Sequence, residues 1–375
     1  MTIEVKEYHF QQTNVPPIAG TAGYGITLLD AVLVTGFNSV NISTLVVASN
    51  LATVTTSGNH GFNQDEVIKI AGANESVFNN EFRVKERLSL TSFTFEITTA
   101  DTTATGSITA KIAGLGWTKA FTGTNKAAYR SSDVSGTQLY LRVDDTNAQY
   151  MSVKLYETMT DIDTGTGASA VRYWMKSDVS NTTAKNWNII GDSKMFYFLV
   201  DWDSTYLYQP NPYCFGDINS VKSGDAYHCI LYGYHTIPSD PYQYLDFASI
   251  GSPSDTEGAL IARSYTQLGG ALAFFKYAGI PGSSYMGYGS TITFPDPVDN
   301  GVHLVPVYVF STASNLRGVM PGLYSPIEQT NGVFNTRDKT VKINNKVYIA
   351  FKISNGVSNN QIGNCWFDLT GPWRE

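Results

Sequence analysis

The chain has 375 residues, of which 42% are hydrophobic and only 15% charged, and 25 basic against 32 acidic side chains give a net charge of −7. That length suits two or three compact units, and the charged share lies well under the roughly 25% of an ordinary soluble domain. No Lys/Arg run could track a phosphate backbone, and no apolar stretch approaches the about 18 residues of a membrane helix, so direct nucleic-acid binding and membrane insertion are not expected.

Residues 1–20 begin MTIEVKEYHF, without a basic-then-apolar signal pattern, so retention in a cytoplasm after synthesis is expected. They are polar and run into Val15-Pro16-Pro17, which reads as an extended N-terminal arm rather than a folded element. Ile26, Leu29 and Leu33, with Leu28 and Val32, then suit a short helix with Gly36 at its C′ position, although a buried strand fits nearly as well. From 43 to 113 the style changes to short alternating runs such as Val67-Ile68-Lys69-Ile70 and Phe93-Thr94-Phe95, separated by Gly/Asn turns. Closely spaced short strands of this kind predict a small immunoglobulin-like sandwich or barrel. Because 21–42 and 114–375 read as continuous across it, 43–113 is expected to be an insertion into a discontinuous main domain.

The main domain is expected to be mainly β, a sandwich or mixed sheet with one short helix. Leu139, Leu141 and Val143 alternate on one face and can pair with Ser152–Tyr156 across Asp144-Asp145-Thr146-Asn147. Phe196–Trp202 is a heavily aromatic strand suited to the centre of a sheet, and 226–232 is another candidate strand. In Leu304–Phe310, Pro306 points to an edge or a bulge. Residues 251–290, rich in Gly, Ser and Tyr, read as a long excursion. Thr340–Ile343 and Lys346–Ile353 about Asn344-Asn345 form the clearest hairpin signal. No fixed-period repeat is present, which counts against a β-helix or propeller.

The search for chemistry returns little. Asp161, Asp163, Gly165 and Gly167 suggest a calcium loop, but an EF-hand needs glycine at its sixth position and a bidentate Glu at its twelfth. Thr166 and Arg172 stand there, so a turn capped by Asp side chains is the better reading. Asp144-Asp145 and Asp201/Asp203 are the carboxylate pairs that a glycosidase mechanism would require. Adjacent Asp144 and Asp145 should diverge, while Asp201 and Asp203 share a face only if their strand continues. His9, His60, His228, His235 and His303 lack metal-ligand spacing, and neither GxSxG nor GxxxxGK[ST] occurs. No catalytic, cofactor-binding or metal residues are therefore assigned. Cys214, Cys229 and Cys365, an odd number without CxxC spacing, read as small buried hydrophobes in a reducing compartment.

Ser, Thr, Asn, Gly and Tyr replace the missing charge, with 33 Gly and 23 Tyr. Such a surface sheds water more cheaply than a Lys/Glu surface and suits coverage by a partner. A secreted β-sandwich would share this composition. Tyr206, Tyr208, Tyr213, Tyr232, Tyr234, Tyr242 and Tyr244 fit core and interface packing better than a sugar-stacking face.

Several segments carry a resemblance. LLDAVLV (28–34) with Gly36, GWTKAFTGTNKAAYR (116–130), LYLRVDD (139–145) and YETMTDIDTGTG (156–167) resemble an uncharacterised group of tailed-phage virion proteins. In that group the first two segments follow each other closely, whereas here 70-odd residues intervene, in keeping with an insertion. The likeness is good over 20–40 and 114–175 and looser up to FDLTGPW (367–373). It implies a non-enzymatic virion component of the tail, baseplate or collar, made in the host cytoplasm and assembled with its own copies and with neighbouring virion proteins. A receptor-binding fibre or spike touching host surface glycan is the alternative, and a polysaccharide depolymerase using Asp201 and Asp203 is a third.

Overall fold

The computed structural model describes residues 5–203, 210–238, 247–250, 258–283, 285–311, 315–334, 340–354 and 362–374. The helix expected near Ile26 forms as an α-helix over Tyr24–Leu29 and continues as a π-helix over Asp30–Thr35. Leu28, Leu29, Val32 and Leu33 form its buried face. Gly36 ends it at φ +72°, with its N–H on the Ala31 carbonyl. A Cβ at Gly36 would stand 2.1 Å from the Ile112 carbonyl oxygen, so glycine alone lets the chain leave the helix beside the strand that ends at 112.

The chain then enters a closed barrel. Phe37–Ala48 pairs with Leu51–Thr56, which pairs with Ser92–Glu96, then Glu81–Arg87, Val67–Ala73 and Gly106–Ile112, and the last returns to Phe37–Ala48. Alternation fills the interior: Leu45 and Val47, Ala52 and Val54, Ile68 and Ile70, Phe93 and Phe95 are all buried. Phe82 and Phe95 stack at 4.1 Å, and Phe62 meets Phe93 edge-on at 5.5 Å. Closure removes exposed sheet edges, which an immunoglobulin-like sandwich would leave open. The barrel begins at Phe37 rather than 43, because the polar-looking residues 38–42 belong to a twelve-residue strand. Its two ends meet through Phe37 opposite Ile112.

The remaining strands build a five-stranded sheet and a long antiparallel sheet. The smaller one orders Arg172–Met175, Tyr150–Tyr156, Tyr140–Asp144, Lys126–Ser131 and Trp117–Gly123, with Leu141 opposite Leu155. The larger, thirteen-stranded among the described residues, runs from Lys6–His9 through Trp187–Gly191, Met195–Val200 and Asn211–Asp217 to the C-terminal strands. All six residues of Met195–Val200 are buried, because the large sheet folds over itself. Phe196 and Phe198 face Trp174 of the five-stranded sheet, both at 6.0 Å, whereas Tyr197 faces Phe367 at 4.8 Å. Three layers thus meet at this strand, and each fully buried Phe contributes about 1.5–3 kcal/mol.

Among the described residues the named strands pair antiparallel, and an isolated bridge between Thr293 and Gln329 is parallel. The N-terminal arm is a strand, not a free extension: Lys6–His9 pairs with Trp187–Gly191, and Val5 and Tyr8 are buried. Lys6 reaches Glu81 of the barrel at 2.8 Å, and the Tyr8 hydroxyl donates to the Ala113 carbonyl at 2.8 Å. Residues 251–290 are not one excursion either, since Ala259–Ile261 and Leu272–Tyr277 enter the large sheet. Pro306 lies next to a bulge in an interior strand. The hairpin turns at Asn344 and Asn345, φ +46° and +65°, the left-handed pair that a type I′ turn demands.

Candidate functional site

The segments singled out by resemblance converge where the helix lies on the five-stranded sheet. Asp30, on the first π-turn, accepts hydrogen bonds from the Tyr129 hydroxyl at 2.7 Å and from Lys119 Nζ at 2.8 Å. Burial, then the Asp30 carboxylate, pushes the Tyr129 phenol well above its usual range, so it stays a donor. A few residues away the helix N-terminus lacks a side-chain cap of its own. Asp145 supplies one from a distant strand end, accepting the Ile26 N–H at 3.1 Å. Its other oxygen pairs with Lys176, whose Nζ also donates to the Thr21 and Asn147 carbonyls at 2.8 and 3.0 Å. Both side chains are fully buried. Burial raises the Asp145 carboxyl and lowers the Lys176 amine, each opposed by the other's charge. Gly25 admits this approach, since a Cβ there would meet Met151 Sδ at 2.2 Å. The arrangement fastens a helix to a sheet, with the Asp145–Lys176 pair buried and the Asp30–Lys119 pair partly exposed.

Asp144 and Asp145 diverge as their adjacency requires. Asp144 accepts from the Thr146 hydroxyl at 2.6 Å, at the surface, while Asp145 goes inside. The strand that was to align Asp201 with Asp203 stops at Val200, and both carboxylates are buried, at 3% and 9% exposure. Neither lines any of the three cavities described below. The calcium-like segment is a turn between the short strands Thr158–Met159 and Gly165–Thr166. Asp161 accepts the Asp163 N–H at 2.8 Å, and Asp163 is held by Lys126 at 3.0 Å and Arg142 at 2.5 Å. Those two hydrogen bonds keep the Asp163 carboxyl below its usual range.

Of the seven tyrosines, Tyr213, Tyr232 and Tyr234 are core residues. Tyr213 stacks on Trp174 at 5.7 Å, and Tyr232 meets Phe247 edge-on. Tyr206, Tyr208, Tyr242 and Tyr244 lie outside the described residues. Cys214, Cys229 and Cys365 are free thiols in the interior, where burial pushes each one up. His228 and the buried Cys229 both approach Asp217: His228 Nε2 lies 3.9 Å from its Oδ2, and the Cys229 thiol neighbours the same carboxylate.

A cleft of about 400 Å³ opens where the N-terminal strand (Glu7, His9) meets the barrel (Asp65, Arg83) and the C-terminal hairpin (Thr340, Val347). A wider one of about 860 Å³ is lined by Lys194, Lys346 and Arg374. Three of its cations are paired, Lys194 with Asp133, Lys346 with Asp368 and Arg374 with Asp192, while Lys222, which also lines it, donates to the Tyr265 carbonyl. A third, of about 690 Å³, lies on the barrel around Phe82 and Glu96.

One constellation was missed by sequence reasoning. Asp296, His303 and Glu328 bring their ligating atoms within 4.8 Å of one another. Glu328 is 1% exposed and lies 2.5 Å from His303 Nδ1, and Asp299 lies 3.2 Å from Nε2. The hydrogen bond to Glu328, then the surrounding carboxylates, hold the imidazole above its usual range. The spacing Asp-x-x-Asp-x-x-x-His was visible, but Glu328 arrives through a strand pairing that no local spacing announces.

The fold and its sites define a class: a mainly antiparallel β protein with an inserted closed barrel. No protein-family model matches the sequence, and no curated protein matches it. Among solved structures the chain is similar to "Phage phi92 endosialidase", with 10% identity, a TM-score of 0.19, and coverage of 88% of this chain and 51% of that one. The chain therefore spans about half the length of that protein, and a TM-score of that size carries no inference about shared fold or activity.

Proposed function

We propose that the chain is a non-catalytic structural subunit of a tailed-phage virion, in the tail, baseplate or collar, assembled in several copies with neighbouring virion proteins. The observation that supports this most is the use made of the residues behind the virion-protein resemblance. Asp30, Lys119 and Tyr129 satisfy one another, and Asp145 and Lys176 are buried together, so these motifs build a rigid frame. Apolar side chains are also left for a neighbour to cover. Val221 and Leu268 are 58% and 72% exposed, on two loops joined by the 2.6 Å bond from Lys222 Nζ to the Tyr265 carbonyl.

The test is to grow the encoding phage without this chain, using a nonsense mutation in a non-suppressing host. A structural subunit leaves incomplete particles. Complete particles that fail to adsorb would replace this reading by the receptor-binding one, and fully infectious particles would overturn both.

A further inference from the structure

His303 and Glu328 stand at the adjoining ends of two paired strands. Leu304–Ser311 begins directly after His303, Asn315–Pro326 ends two residues before Glu328, and Leu304 pairs with Pro326. The Ile327 N–H donates to the His303 carbonyl at 2.8 Å and extends that ladder. Asp296 is presented by a closed loop in which its N–H reaches the Gly301 carbonyl at 3.2 Å and its own carbonyl accepts the Asn300 N–H at 2.8 Å. One Asp296 carboxylate oxygen accepts the Val298 N–H at 2.8 Å, and the other takes no hydrogen bond from the described residues.

Glu328 supplies the second observation. It is a carboxylate with 1% exposure, and every partner it has among the described residues comes from His303: the backbone N–H at 2.9 and 3.1 Å, and Nδ1. No Lys or Arg among the described residues pairs with it. The other charged groups around the imidazole, Asp296 and Asp299, are carboxylates too. His303 is the one counter-charge that the buried Glu328 has among the described residues, and Asp296 and Asp299 share the same ring, so carboxylates outnumber cationic groups in the cluster.

We propose that Asp296, His303 and Glu328 form a binding site for a divalent transition-type cation, Zn²⁺ or Mn²⁺ in class, that ties the 296–303 loop to the large sheet. Mixed imidazole and carboxylate donors suit such ions, whereas Ca²⁺ and Mg²⁺ favour shells made of oxygen alone. Ligand bonds of about 2.0–2.2 Å put donor atoms roughly 3–3.4 Å apart. His303 Nδ1 and Glu328 must therefore part from 2.5 Å, which the half-exposed ring can do by turning. Three protein ligands leave at least one position for water or for a donor from a neighbouring subunit.

The test uses the full chain, stripped with chelator and titrated calorimetrically with ZnCl₂ and MnCl₂, with CaCl₂ and MgCl₂ as comparisons. One equivalent of Zn²⁺ or Mn²⁺ is expected to bind and raise the melting temperature, with Glu328→Gln weakening binding at least about 10-fold. Should Glu328→Gln fail to fold, Asp296→Asn, on the partly exposed loop, is expected to weaken it by a similar factor. The proposal is overturned by the absence of saturable binding. Binding that both variants leave unchanged, or Ca²⁺ binding as tight as Zn²⁺, would overturn it as well.

Discussion

At the scale of single residues, Lys176 and Asp145 carry the clearest consequence. Neither touches solvent, and each is the other's counter-charge. Removing one partner of a buried pair strands the other, at a cost of about 3–5 kcal/mol. Lys176→Met is therefore expected to lose roughly that much in urea denaturation, and Lys176→Met with Asp145→Leu to lose less than the single change. A loss under about 1 kcal/mol for Lys176→Met would show that the pair does not hold the helix. Half of this arrangement is legible from adjacency alone. Adjacency told that Asp144 and Asp145 must point apart, and it did not tell which goes inside, because the deciding partner lies 31 positions along the chain. Glu328 stayed hidden for the same reason, reaching His303 across 25 positions.

Among elements, legibility followed how local the cause is. The 340–353 hairpin was readable because Asn344 and Asn345 both tolerate positive φ, and the helix was readable once Gly36 is taken as its end. The strand Ala259–Ile261 was missed because three apolar residues among Gly and Ser carry too little pattern to beat a loop reading. The barrel was legible as closely spaced strands, but closure depends on Phe37–Ala48 pairing on both edges, which periodicity cannot show. Within the barrel, His60 makes a pH prediction. It is fully buried, its Nδ1 accepts the Phe62 N–H at 3.0 Å, and its Nε2 therefore donates to the Ser89 carbonyl at 3.1 Å. Burial holds its pKa below the ordinary 6.5. The unfolded chain takes up a proton near 6.5 while the folded barrel does not, so full stability is present above that pH and declines as pH falls toward the lowered value. Hydrogen exchange, corrected for intrinsic rates, should show barrel amides losing protection as pH drops below about 6.5, with the drop reduced in His60→Gln. Protection that is constant or rises over that interval would contradict the assignment.

For the whole molecule, the physical theme is a frame with its polar chemistry turned inward. Met195–Val200 is covered on both faces, the barrel is docked on the N-terminal strand, and the motif residues are occupied with one another. Among the described residues no helix is long and apolar enough to cross a membrane, which says nothing about strands. Composition already pointed this way, since a chain with 15% charged residues, rich in Tyr and Gly, has a surface that a neighbour can cover cheaply. The layering was not readable, because it requires the large sheet to fold back so that Phe367 meets Tyr197. The central claim is that this shape is gripped by other subunits. Electron cryomicroscopy of the encoding phage, at a resolution that separates strands, tests it most directly. The inserted barrel and the folded large sheet are expected at symmetry-related positions in the particle, with the 221–224 and 264–268 loops against a neighbour. A particle whose density is fully explained without this fold, with the chain recovered only as a free monomer, would contradict it.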